Sequence, residues 1–158
     1  MTDQTNFDYV NLNEVDPNDT LVDTGVYTIE VSNAEKKTFT YKSGKSAGEE
    51  GFYYNFRLTV VDDAKFAGTS IFTTLFPSNG TSKQLRRLMD AVGIQQKDGE
   101  SVTDWLTNLK NERVRFKAPV QQVPDVNKDG VPNPRTVLPD GSPKIINKVD
   151  LWNPHPVS

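Results

Sequence analysis

Arg113, Arg115 and Lys117 alternate with Val114, Phe116 and Ala118. On a strand, whose side chains point to opposite faces in turn, this spacing sends three cations one way and three apolar groups the other. Three like charges on one face repel unless a polyanion or nearby carboxylates neutralise them, so the pattern points to phosphate binding or to cross-strand ion pairs. Cations interleave with aromatics at other places too. Lys36, Lys37, Lys42 and Lys45 flank Phe39 and Tyr41, Tyr53 and Arg57 share the same parity of a second alternating run, and Lys144, Lys148 and Trp152 repeat the theme near the end. Cations that track phosphates beside flat rings are the chemistry by which unpaired bases are held, each stack contributing about 1–3 kcal/mol. The same lysines and arginines have a plainer use, since exposed charge on edge strands blocks sheet-to-sheet association and Glu30, Glu35 or Glu112 are placed to pair with it.

Other chemistries find less material. The chain has no Cys and one His, which excludes a disulfide framework, a cysteine zinc site, a thiol nucleophile and a His-rich metal centre. His155 lies between Pro154 and Pro156, where a mobile tail residue is the expectation rather than a general base. Glu49-Glu50 and Asp62-Asp63 fall at turns, and nothing assembles them into a site. Gly44-Lys45-Ser46 lacks the upstream glycine of a phosphate-cradling loop, because Phe39 stands five residues before Gly44. Asp125, Asn127, Asp129 and Gly130 open like a calcium loop, with oxygen ligands at positions 1, 3 and 5 and glycine at 6. Position 12, which needs a bidentate Glu, is Thr136, and Pro119, Pro124, Pro132 and Pro134 leave no flanking helices. A β-turn at Asn127 to Gly130 accounts better for these residues. No cofactor, no metal and no catalytic residue is expected.

The chain is 158 residues long, enough for one domain with short extensions. Its net charge of -3 is unevenly distributed. Residues 1–24 hold Asp3, Asp8, Glu14, Asp16, Asp19 and Asp23 with no Lys or Arg; all 18 Lys and Arg lie in residues 25–158 against 15 of the 21 acidic groups. A mildly basic body therefore carries an acidic arm, and the overall acidity does not argue against a polyanionic partner. No apolar run approaches the roughly 20 residues that span a bilayer, and the opening MTDQTNFDYV has neither the basic start nor the apolar core of a signal peptide. These features lead to the expectation of a cytoplasmic protein without membrane contact.

Alternation identifies the elements that must carry the candidate groups. Tyr27, Ile29 and Val31 oppose Val26, Thr28 and Glu30 in a first strand that runs on through Tyr41, and Ser43 to Gly51 forms a polar loop. Phe52, Tyr54, Phe56, Leu58 and Val60 then oppose Tyr53, Asn55, Arg57 and Thr59 in a second strand, and Thr69 to Phe76 makes a third, ended by Pro77. Thr81 with Gln84 reads as a capping box for a helix with its stripe at Leu85, Leu88, Met89 and Val92 and Gly93 just past its end. A shorter helix from near Ser101 buries Trp105, Leu106 and Leu109, a fourth strand covers 112–120, and a fifth runs from about Lys144 to Trp152. The expected class is mainly β, a five-stranded OB-fold-like Greek-key barrel with a helical insertion between strands 3 and 4. The expected divisions are an acidic arm at 1–24, the barrel at 25–152 with an extended loop or hairpin arm at 121–143, and a tail at 153–158.

Short motifs add a resemblance. Gly25-x-Tyr27, Glu35-Lys36-Lys37, the run Phe56 to Val61 leading to Phe66-Ala67-Gly68, and Ala91-Val92-Gly93 resemble a family of small bacteriophage proteins long catalogued as a domain of unknown function. The resemblance covers about residues 7 to 120 and omits the proline-rich 121–143 segment. It implies an OB-fold single-stranded DNA-binding protein of the host-cell cytoplasm, serving phage replication or recombination alongside proteins of those processes. The C-terminal HPVS lacks an acidic tip for partner recruitment. From residues and resemblance together, the expected activity is sequence-tolerant binding of single-stranded DNA through Lys36, Lys37, Phe39, Tyr41, Tyr53, Arg57, Arg113, Arg115, Lys117, Lys144, Lys148 and Trp152. The competing expectation is a structural or protein-interaction barrel, for instance a virion component, whose basic strand meets an acidic partner or another copy of the chain in a homo-oligomer.

Overall fold

A computed structural model describes Leu12, residues 21–45 and residues 47–157. Five strands, β1 (Gly25–Thr40), β2 (Glu50–Val61), β3 (Ser70–Leu75), β4 (Arg115–Pro124) and β5 (Ile145–Val149), form one sheet. Helices α1 (Asn79–Val92) and α2 (Val102–Asn111) lie between β3 and β4. The strand order is β3-β2-β1-β4-β5, every ladder is antiparallel, and the two edge strands come together without a ladder between them. The sheet is thus a curled, OB-like half-barrel, with β1 shared between its two halves and the helices inserted after β3.

Alternation produces this curl by sending one parity of each strand inward. Ile29, Val31, Phe56, Leu58, Val60, Phe116, Val120 and Val149 are at most 1% exposed, and Leu88 of α1 with Leu106 and Leu109 of α2 closes the core at 0%. Full burial of a side chain such as Phe56 or Phe116 stabilises by about 1.5–3 kcal/mol. Trp105 joins the core because its indole N–H finds the Ile94 carbonyl at 2.8 Å, which satisfies the ring's one polar atom.

Several boundaries shift for local reasons. Ser78, not Thr81, caps α1: its Oγ accepts the Thr81 N–H at 3.1 Å, while Thr81 is buried with its hydroxyl donating to the Phe76 carbonyl. Gly93 ends the helix as expected, left-handed at φ 77° with its N–H on the Met89 carbonyl. Ser101 caps α2 as expected, accepting from the Asp104 N–H at 3.0 Å. β4 starts at Arg115 rather than 112, because Arg113 turns left-handed at φ 47° and its N–H still bonds the Lys110 carbonyl. β5 stops at Val149 because the Asp150 carboxylate accepts the Trp152 N–H at 2.9 Å and the Asn153 amide at 2.7 Å, bending the chain.

Both ends of the described chain are held. Val22, assigned by sequence to the arm, is 0% exposed; its N–H reaches Asn147 Oδ1 at 2.8 Å and its carbonyl receives Asn147 Nδ2 at 2.8 Å and Gln122 Nε2 at 3.1 Å. Five of the six arm carboxylates, all but Asp23, lie outside the described residues. His155 is not a loose tail residue, since its N–H and carbonyl exchange hydrogen bonds with Lys117 at 2.7 and 2.8 Å, extending the free edge of β4. The proline-rich connection from β4 to β5 folds back on itself through the expected turn, Gly130 N–H to Asn127 carbonyl at 3.0 Å.

Candidate nucleic-acid interface

A one-residue bulge in β1 decides which side chains share a face. Val31 pairs with Leu58 and Asn33 with Arg57, so Ser32 is extra, and its hydroxyl meets the outward Thr59 hydroxyl at 2.5 Å. Before the bulge odd residues face the core; after it even residues do, with Ala34 at 3% exposure. Asn33, Glu35, Lys37 and Phe39 consequently point outward. Across the three strands the outward positions form rows: Asn33, Arg57 and Phe72; Glu35, Asn55 and Thr74; Lys37 and Tyr53, with Phe76 just past the end of β3; then Phe39 beside Gly51.

Four rings gather at the hairpin end of this face. Phe39 lies 4.9 Å from Tyr41, 6.1 Å from Tyr53 and 6.3 Å from Phe76, and Tyr53 lies 5.6 Å from Phe76, centroid to centroid. Gly51 makes room for them, because a Cβ there would stand 2.7 Å from Phe39 Cζ and 2.9 Å from Tyr41 Cε2. Phe76 is 56% exposed, Phe72 64% and Tyr41 42%. Rings open to water on one continuous face form an apolar patch of the kind that marks a binding surface. Cations border it: Lys37 Nζ is 3.6 Å from Glu35 Oε1, with both side chains about half exposed, and Arg57 Nε donates to Ser70 Oγ at 3.1 Å.

The structure brings together Lys37, Phe39, Tyr41, Tyr53 and Arg57, and adds Phe72 and Phe76, which the sequence reading did not single out. Other sequence candidates lie elsewhere. Lys36 is sent by the bulge to the opposite face, where its ammonium sits 4.3 Å from the Phe52 ring centroid. Phe52 and Tyr54 pack edge to face at 5.6 Å on that side, and burial raises the Tyr54 phenol above its ordinary pKa. Arg113 occupies the turn between α2 and β4, so the expected stripe of three cations on β4 reduces to Arg115 and Lys117. Arg115 is itself engaged, 3.4 Å from Glu30 and 3.8 Å from Asp62. Lys144 precedes β5, its carbonyl accepting the Asp125 N–H at 2.8 Å; Lys148 faces outward beside Gln121; Trp152 lies past β5 against α1.

Asp125 and Asn127 of the calcium-like loop each spend a side-chain oxygen on the loop itself. Asn127 Oδ1 accepts the Asp129 and Val131 N–H groups at 2.9 and 3.0 Å, and Asp125 Oδ2 accepts from Asn133 and Thr136 at 3.1 and 2.7 Å. No group of three or more His, Cys, Asp or Glu stands ready for a metal among the described residues. No helix among them is long and apolar enough to cross a membrane. Comparison with protein-family models, with curated proteins and with solved structures finds no match to this chain.

Proposed function

We propose that this chain binds single-stranded DNA without sequence preference, through the outward face of β1, β2 and β3. The observation that carries the reading is the group of rings on the same face as Lys37 and Arg57: Tyr41, Phe76 and the separate Phe72 are exposed, and Phe39 and Tyr53 are half-buried among them. Stacking accepts any base because every base has a flat face, and the two cations track phosphates rather than read base edges. The OB-like topology supports the same face, because strands 2 and 3 are where such barrels take up oligonucleotides. The resemblance to phage proteins extends the proposal to a role in phage replication or recombination in the host cytoplasm, among proteins of those processes, with no chemistry performed on the DNA.

The test is fluorescence anisotropy of a labelled oligo-dT of about 30 nucleotides, long enough for several footprints of roughly 4–16 nucleotides, with the matching duplex as control. Binding that favours the single strand and weakens with salt is expected. No binding at low or moderate salt would leave the ring-bearing face as a protein-docking surface, and the oligomeric state would then be the quantity to measure.

A further inference from the structure

The platform and a cleft at the open seam of the barrel meet at Thr74. Thr74, which stands between Phe72 and Phe76 on the outward face of β3, also lines a cleft of about 340 Å³ between β3 and β5. Its other walls include Gln84 of α1, Gln121 of β4, Lys148 of β5, Asp150 and Trp152. The Asp150 carboxylate is held by its own turn, accepting from the Trp152 N–H and the Asn153 amide, and Lys148, exposed on β5, is the one cation among the residues that line the cleft. At the far end the Trp152 ring is 40% exposed. The Arg87 guanidinium lies 5.4 Å from its centroid and donates to the Trp152 carbonyl at 2.5 Å. The first turn of α1, free of acidic residues, borders the same ring, since a Cβ on Gly80 would touch Trp152 Cζ2 at 3.6 Å. An exposed indole with a cation against it and a helix N-terminus beside it suits a base and its phosphate.

We infer that a bound single strand leaves the platform at Thr74, crosses the β3–β5 seam past Lys148 and ends stacked on Trp152. The inference rests on the single-strand reading and adds a second contact region to it. It gives the cluster at Lys148 and Trp152, separated from the ring platform in the fold, a shared ligand with that platform.

Tryptophan emission tests the path, because Trp105 is 3% exposed and Trp152 is the only other indole. The full chain is titrated with oligo-dT of about 4 and about 12 nucleotides, lengths that bracket a platform-only and a platform-plus-seam footprint. Binding is followed in parallel by anisotropy. The 12-mer should quench Trp152 and the 4-mer should bind with little quenching. Lys148→Glu should cut the ratio of 12-mer to 4-mer affinity by on the order of tenfold and lower the salt slope of the 12-mer alone, each lost phosphate contact being worth about 0.7 in that slope. Trp152→Phe keeps a ring and should hold that ratio within about threefold, while Trp152→Ala should lower it by about tenfold. Equal quenching by both lengths, quenching by neither while both bind, or equal losses for both lengths in Lys148→Glu would overturn the path and leave the platform reading standing. Failure of either oligonucleotide to bind would overturn the single-strand reading and the path with it.

Discussion

Removing the Phe76 ring separates stacking from packing, because packing is read in the melting temperature and stacking in the affinity for an oligonucleotide. Phe76 is 56% exposed, so Phe76→Ala returns less than half of the ring's surface to water, a loss of about 1 kcal/mol against the 1.5–3 kcal/mol of a fully buried side chain. Its ring contacts at 5.6 Å to Tyr53 and 6.3 Å to Phe39 add about 1–3 kcal/mol between them. A domain stable by about 5–15 kcal/mol remains folded after that change. If a base stacks there, the binding loss is about 1–3 kcal/mol, or roughly 5- to 150-fold in Kd. Stacking carries no net charge, so the loss should be the same at low and moderate salt. Lys37→Gln should behave in the opposite way, lowering the slope of log affinity against log salt by about 0.7 for one phosphate. It also leaves the Glu35 carboxylate without its partner at 3.6 Å. Anisotropy titrations of oligo-dT at several salt concentrations, with thermal melts of each variant, measure both quantities. A Phe76→Ala protein that melts as calculated but binds within twofold of the parent would refute the stacking role and reduce the ring to packing.

Gly51→Ala should push Phe39 and Tyr41 aside, since its Cβ would meet them at 2.7 and 2.9 Å; affinity for oligo-dT should fall about fivefold or more, and the displaced ring contacts of Phe39 should lower the melting temperature modestly. Asn147→Ala removes two of the three hydrogen bonds that hold Val22, leaving the one from Gln122, and should lower stability by about 1–3 kcal/mol, seen as a drop in Tm, with oligo-dT affinity retained. Arg115→Gln should weaken binding less than Arg57→Gln, because Glu30 and Asp62 already engage Arg115; a larger loss from the Arg115 change would shift the phosphate path onto β4. The Ser142 hydroxyl and amide hold the Asp140 carboxyl below the usual carboxylate range. A depressed folded-state pKa contributes stability above the unfolded value and loses it as pH falls through the folded one. Titration of the Asp140 carboxyl by NMR should therefore give a midpoint that rises in Ser142→Ala.

The barrel was legible wherever one parity of a strand was apolar and the other was not. Ile29 and Val31, the run from Phe56 to Val60, and Phe116 with Ala118 were read correctly because only one register buries them, and Gly93 and Ser101 marked helix ends by chemistry that few other residues supply. Phe72 and Phe76 are not legible as outward rings because TSIFTTLF is apolar in both parities. Ile71 and Leu75 compete with the two phenylalanines for the core, and only the pairing of Ile71 with Leu58 and of Leu75 with Tyr54 turns the phenylalanines out. Alternation puts Arg113 on β4 because it cannot register a left-handed residue that closes the preceding helix. Trp152 was drawn into β5 because the Asp150 turn that bends it away depends on side-chain hydrogen bonds rather than on hydropathy.

The hardest feature to read was the smallest. Lys36 and Lys37 are adjacent, and a strand without interruption would have turned Lys37, Phe39 and Tyr41 toward the core side with Ile29 and Val31. The extra residue at Ser32 reverses the phase, so Ala34 fills the core position opposite Phe56 and the rings move outward. Nothing in the run Val31-Ser32-Asn33-Ala34 announces a bulge; what selects it is the combined demand that Val31 and Ala34, three apart, both be buried against β2. That demand also sorts the two lysines, giving one to the ring platform and the other to the Phe52 ring on the far face. A strand that stays in register across this point could bury its apolar residues or display its aromatic ones, but not both. The bulge therefore serves the packing of the barrel and the making of its outer face at once, and a deletion of Ser32 should cost both together.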